Sequence, residues 1–258
     1  MHEKQLFVHV PFATVAENLP YVLTNRLCPE FAFNGDTLDR LLPEELEATA
    51  TALSANGTDC TIHAPFMDLN PGSTERLIRE ATEKRFQQVI AAAEILKPRI
   101  IVFHPGYDRW RYGENQLAWL TNSIDVWRWV LNQAEQIGFT IAIENIFEEE
   151  PSTLKSLIEV INSDRFRHCF DVGHWNMFKQ VGMAEWFAEL GQYIAEVHIH
   201  DNFGLKDDHL PVGEGAIDFD LYFKLMAQYA PDATWTIETH SKERVERAVK
   251  SLQTRPRR

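Results

Sequence analysis

The sequence predicts a (β/α)8 barrel: eight parallel strands in a ring, each followed by a helix, with chemistry at the C-terminal ends of the strands. Three observations predict it. Short β-rich runs alternate with runs of helical period along the whole chain. The chain's 258 residues suit eight such units. No linker-like or low-complexity stretch interrupts the alternation, so residues 1–258 are expected to form one domain.

In order, the expected strands are LFVHV (6–10), EFAF (30–33), CTIHA (60–64), RIIVFH (99–104), TIAIEN (140–145), RHCFD (167–171), EVHIHD (196–201) and TWTIET (234–239). EFAF is short enough to be read as a loop instead. Between them lie the helical runs. Residues 43–57 open with Pro43 and end at Gly57, a start and stop that suit a helix. Residues 74–97 set Leu77, Ala81, Phe86, Val89, Ile90, Ala93 and Leu96 on one side, with Ser73 and Thr74 offering capping hydroxyls. After Pro151, Ser152 is the expected N-cap of the next helix.

Composition narrows the partners. The formal net charge is −13, which repels a polyanion unless positive charge is gathered on one face, so nucleic acid is disfavoured. Cys28, Cys60 and Cys169 lie far apart with no CxxC spacing, and are expected to be buried free thiols rather than disulfides or a thiolate zinc site. No segment has the roughly 20 apolar residues of a membrane span, and the N-terminal residues lack a signal-like apolar run; a cytoplasmic protein is expected.

The strand ends carry the functional signal. His63 ends the third strand, His104 the fourth, Glu144 the fifth, Asp171 the sixth (with His174 just beyond), His198 and His200 the seventh, and Glu238 the eighth. The loop after the seventh adds Asp207 and His209. Residues two apart in a strand share a face. Thr61 and His63, Val102 and His104, Ala142 and Glu144, Cys169 and Asp171, and Thr236 and Glu238 should therefore point into the barrel, with Ile62, Phe103, Ile143, Phe170 and Ile237 against the helices. His198 and His200 share the inward face in the same way, between outward Val197 and Ile199.

Convergent imidazoles and carboxylates repel and destabilise a fold unless something organises their charge. A divalent metal does so, since neutral imidazole and ionised carboxylate are its natural ligands. Zinc, manganese, magnesium, iron or cobalt are the candidates, with one to three ions expected. His200, His9 and His240 suit hydrogen-bonding roles as well as ligation, while His2 and His168 read as ordinary exposed or helix-facing residues. Glu196 should lie one layer below His198 inside the barrel, hydrogen-bonded to His63 or another ligand unless the strand register is shifted.

In that order along the chain, TIHAPFMDLNPGS, IVFHPGY, AIEN, FDVGHWN, VHIHDN, DDHLPVGEG and TIET resemble the motifs of the xylose-isomerase-like barrel superfamily over residues 6 to 240. That superfamily includes sugar isomerases, sugar epimerases and endonuclease IV. For the epimerase branch, the resemblance implies one ion held by Glu144, Asp171, His198 and Glu238, the two glutamates serving as acid and base through an enediolate, and His174 touching substrate oxygens. For the endonuclease branch it implies three zinc ions bound by His63, His104, Glu144, Asp171, His174, His198, Asp207, His209 and Glu238.

The loop YDRWRYG (107–113) is the basic and aromatic loop at this face. Its Arg109 or Arg111 could bind a sugar phosphate or DNA, and Trp110 or Trp175 could stack on a sugar ring; packing on the barrel rim accounts for the loop equally well. Tyr107, Arg109, Trp110, Trp175, His200 and Lys206 are the expected substrate contacts. The acidic balance and short loops favour a metal-dependent isomerase or epimerase of a sugar or sugar phosphate over a phosphodiesterase. Related barrels often associate, so a homo-oligomer is one expectation.

Overall fold

A computed structural model describes residues 5–113 and 115–254; His2 lies outside the described residues. The strands β1 (Leu6–Pro11), β2 (Cys28–Ala32), β3 (Thr61–His63), β4 (Ile100–Phe103), β5 (Thr140–Glu144), β6 (Phe166–Asp171), β7 (Ile194–Ile199) and β8 (Thr234–Ile237) form a closed barrel in sequence order. All neighbours are parallel, β8 pairing back to β1.

The alternation holds. Ile62, Phe103, Ile143, Phe170, Val197, Ile199 and Ile237 are fully buried in the layer between barrel and helices. Each such side chain stabilises the fold by about 1.5–3 kcal/mol, which is what locks the opposite residues inward. Inside the barrel, Ile100, Val102, Ala142 and Cys169 form a separate small apolar cluster. The polar inward residues therefore gather above it.

The strands are shorter at their C-terminal ends than expected: β4, β7 and β8 each stop one residue before His104, His200 and Glu238, which sit on the first positions of the loops. The second strand exists but begins at Cys28, two residues before its expected start. Register also shifts between β6 and β7 at His168 and Cys169, placing Cys169 opposite Glu196 and Asp171 opposite His198.

Three local expectations fail. The helix Arg76–Leu96 is capped by the Glu75 carboxylate accepting from Leu77 N, not by Ser73 or Thr74. Leu77 is 61% exposed and Ala81 is exposed too, while Thr82 takes the buried position, its hydroxyl accepting from Asn70 N. Ser152 lies inside its helix, Ser152–Ile161, with Pro151 at the N-cap; the Ser152 hydroxyl and amide bond to Glu150 instead. The helix Pro43–Asn56 ends as expected on Gly57 in the left-handed conformation. All three cysteines are free and buried. Among the described residues no helix is long and apolar enough to cross a membrane.

Candidate metal centre

Glu144, at the end of β5, is fully buried and is the hub of the strand-end cluster. Its Oε2 lies 3.1 Å from His63 Nε2, 3.2 Å from His104 Nε2 and 3.3 Å from His198 Nδ1. His198 Nδ1 is also 3.4 Å from Glu238 Oε2 and 3.8 Å from Asp171 Oδ2. Asn145 ties the ends of β5 and β6 together, donating to Asp171 O and accepting from Asp171 N.

One donor atom from each of Glu144, Asp171, His198 and Glu238 lies within 4.8 Å of the others, as do those of His63, His104 and Glu144, and those of His200, His209 and Glu238. These groups share Glu144 and Glu238. The fold thus brings all nine residues of the expected ligand set to one mouth, in adjoining groups rather than one.

Asp207 and His209 arrive on a loop that Asp201 organises. The Asp201 carboxylate accepts from the amides of Asn202, Gly213, Gly215 and Ile217, and its backbone pairs with Leu210 in both directions. A Cβ on Gly215 would come within 2.3 Å of Asp201 Oδ1, so only glycine allows the loop to close this tightly. The closed loop sets Asp207 Oδ2 2.8 Å from His209 Nε2 and 3.5 Å from His174 Nε2. Gly173 serves a similar end, since a Cβ there would strike the His200 ring.

Backbone carbonyls fix three of the ring orientations. Nδ1 of His63 donates to Ala64 O, that of His174 to Asn145 O and that of His209 to Glu238 O, which leaves each Nε2 facing a carboxylate. A histidine held on one nitrogen and free on the other is the usual arrangement around a metal.

The protein's own charges balance only by protonation. Burial alone would push the Glu144 and Glu238 carboxyls up, but His198 beside both, with His104 beside Glu144, holds them well below the usual carboxylate range. Burial works against the His63 and His209 cations, yet Glu144 and Asp207 respectively raise them to about 9. Burial lowers His104. Glu144 Oε1, His198 Nδ1, His200 Nδ1, Asp207 Oδ1 and Glu238 Oε2 are buried without a hydrogen-bond partner. Orphaned acceptors and imidazoles that face one another in this way fit a divalent cation, which would replace the protons.

The expected substrate contacts are placed less uniformly. Trp110 is 84% exposed at the rim, and Arg109 beside it pairs with Glu149 at 2.8 Å. Tyr107 and Trp175 belong to the packed core, Tyr107 stacking on Tyr112 and Trp175 lying under Lys179. His200 is fully buried, with Nε2 3.0 Å from Asp171 Oδ2 and Nδ1 3.6 Å from Asp207 Oδ1. Lys206 is 79% exposed in its side chain and pairs with Asp208. His9 and His240 border the cluster, His9 Nδ1 3.6 Å from Glu238 Oε1 and the His240 ring against His209. His168 is helix-facing but wholly buried, bonded to Ile143 O and Trp186 Nε1.

Sequence reasoning missed Glu30, Glu148 and the loop-forming Asp201. Glu148 is buried on the loop after β5, where burial pushes its carboxyl up to about 7. Glu30 is fully buried in β2, its Oε2 3.2 Å from His198 Nε2. Its signal was available: Cys28, Glu30 and Ala32 alternate inward once β2 starts at Cys28. Glu196 is inside the barrel, as its register predicted, but its Oε1 accepts from Thr236 Oγ1 rather than touching His63. Burial and neighbouring Glu30 raise it to about 8.

A parallel barrel with histidines and carboxylates converging at its C-terminal mouth defines the class: (β/α)8 barrels with buried groups at the strand ends that could hold a metal ion. Within that class the chain belongs to the xylose isomerase-like TIM barrel family, whose model matches residues 28–255. It is 30% identical over 202 residues to the uncharacterized protein MJ1311 of Methanocaldococcus jannaschii, covering 75% of this chain and 67% of that protein. Its fold is also similar to a D-tagatose 3-epimerase-like protein, with a TM-score of 0.85, 24% identity and 96% of each chain covered. The TTHB071 protein of Thermus thermophilus, in a crystal soaked with ZnCl2, superposes with a TM-score of 0.83 at 22% identity, again over 96% of each chain.

Proposed function

We propose that the protein is a divalent-metal-dependent isomerase or epimerase of a sugar or sugar phosphate. The observation that carries this reading is the convergence of Glu144 and Glu238, from β5 and the end of β8, on His198 Nδ1 at 3.3 and 3.4 Å. Two carboxylates reaching one point from different sides of the barrel can address opposite faces of a bound carbon. One removes the proton beside a carbonyl; the other returns it after the enediolate forms. Glu144, Asp171, His198 and Glu238 would hold the ion, which when bound supplies electrostatic stabilisation of negative charge developing on the substrate oxygens. The similarity to a D-tagatose 3-epimerase-like fold supports the carbohydrate class. Arg109, held by Glu149, favours an uncharged sugar over a phosphorylated one at the 107–113 loop.

A second reading, a zinc phosphodiesterase, is favoured by one specific observation: the His63–His104–Glu144 group and the Asp207–His209–His174 contacts provide for more ions than proton transfer needs. The net charge of −13 weighs against DNA as its substrate.

The test is solvent deuterium incorporation into a panel of ketoses and aldoses by the metal-loaded protein. Exchange at a carbon next to the carbonyl, lost in Glu144→Gln and Glu238→Gln, is the expected result. No exchange with any sugar, together with hydrolysis of a simple phosphodiester, would move the assignment to the second reading.

A further inference from the structure

His198 is oriented the opposite way from its neighbours. His63 and His209 each give Nδ1 to a backbone carbonyl and turn Nε2 to the carboxylates, and His174 Nδ1 likewise bonds Asn145 O although it also lies 3.1 Å from Glu144 Oε1. His198 turns Nδ1 to Glu144, Glu238 and Asp171, and its Nε2 lies against Glu30 Oε2 at 3.2 Å. An ionised carboxylate can only accept, so Nε2 carries the hydrogen, and in the neutral ring the lone pair is on Nδ1.

Glu30 has little other reason to be there. It is fully buried in mid-strand, paired in register with His9 on one side and Thr61 on the other. Thr61 Oγ1 donates to the same Oε2 at 3.4 Å, and His9 Nδ1 is 3.7 Å from Oε1. A carboxylate taken out of water is costly unless its hydrogen bonds repay the loss. Just beneath the His198 ring, Glu196 is tied to Thr236 across the β7–β8 pair, completing a polar floor under the cluster.

We propose that Glu30 is the positioning residue of the metal centre: by accepting from Nε2 it fixes His198 as an Nδ1 donor and strengthens that nitrogen's affinity for a divalent ion. The proposal rests on the metal-site reading above. It extends that site to β2, a strand that supplies none of the nine expected ligands. Glu30 touches neither ion nor substrate in this account. Its effect is carried by the His198 ring, and removing a partner of this kind typically weakens binding by about 10- to 100-fold.

The experiment titrates zinc into wild type, Glu30→Gln and Glu30→Leu in competition with a chromophoric chelator, and records 15N-edited NMR of the zinc-loaded proteins to read the His198 Nε2–H signal. Expected is a loss of affinity of ~10- to 100-fold for the ion that His198 binds, with the number of ions unchanged and the hydrogen-bonded Nε2–H signal gone in Glu30→Leu. Should Glu30→Leu fail to fold, the near-isosteric Glu30→Gln carries the affinity test, since its neutral amide oxygen is a weaker acceptor. Unchanged zinc affinity in a folded variant would overturn the proposal while leaving the metal site standing. Failure of wild type to bind zinc or another divalent ion would instead remove the reading beneath it.

Discussion

Asp207 Oδ2 lies 2.8 Å from His209 Nε2, two residues on along the same loop. The pair depends on Asp201 folding that loop over the mouth, and it meets His174 Nε2 at 3.5 Å. Neither side chain belongs to the group formed by Glu144, Asp171, His198 and Glu238. The double variant Asp207→Ala, His209→Ala is therefore expected to bind fewer ions per chain by elemental analysis without becoming metal-free. Unchanged stoichiometry would assign the pair to substrate contact.

Glu144 and Glu238 stand at the mouth rather than in the apolar layers that hold the barrel together. Replacing either by Gln is expected to cut turnover by about 10²–10⁴-fold while the far-ultraviolet circular dichroism stays that of the barrel. A variant that unfolds would show the carboxylate to be structural.

Metal binding should release protons. In the metal-free cluster carboxylates hold His63 and His209 at about 9, so both are charged at pH 7.5. Only the neutral rings ligate. Calorimetric titrations in buffers of different ionisation enthalpy should give different apparent heats, with affinity rising as pH rises toward 9. Equal heats in all buffers would mean that the rings are already neutral.

His168 predicts an acid limb of stability away from the site. Burial lowers its pKa to about 4, against an ordinary value near 6.5. The folded protein therefore keeps this ring neutral where the unfolded chain protonates it. The contribution is fully present above pH 6.5 and is lost as pH falls toward 4, to the extent of about 2–3 kcal/mol. In His168→Gln, which retains a donor for Ile143 O and an acceptor for Trp186, urea unfolding of the metal-free protein should depend less steeply on pH across that window. The same slope as wild type would contradict the assignment.

The barrel was legible because its outward residues had to be apolar. Ile62, Phe103, Ile143, Phe170 and Ile237 each stand just before a polar strand-end residue, and that period of two marks both the strand and its inward face. His63, Glu144 and Asp171 follow directly, being strand-end residues whose direction the alternation sets. Less legible was whatever depends on contacts distant in sequence. Glu30 hides in mid-strand, and its role appears only when β7 brings His198 beside it. Asp201 looks like any strand-end acid until the amides of residues 213–217 fold back onto it. Leu77 fits the helical stripe, yet it is 61% exposed, and periodicity alone does not say which turns of a helix the rest of the fold covers.

Whether this mouth holds a divalent metal is tested most directly by the metal content per chain of protein purified without chelator or added metal, measured by elemental analysis and repeated after equilibration with zinc and with manganese. At least one ion per chain, removable by chelator and absent when Glu144, Asp171, His198 and Glu238 are replaced together in a barrel that still folds, is the predicted result. Protein that is metal-free as purified, and takes up neither metal on equilibration, would contradict the account.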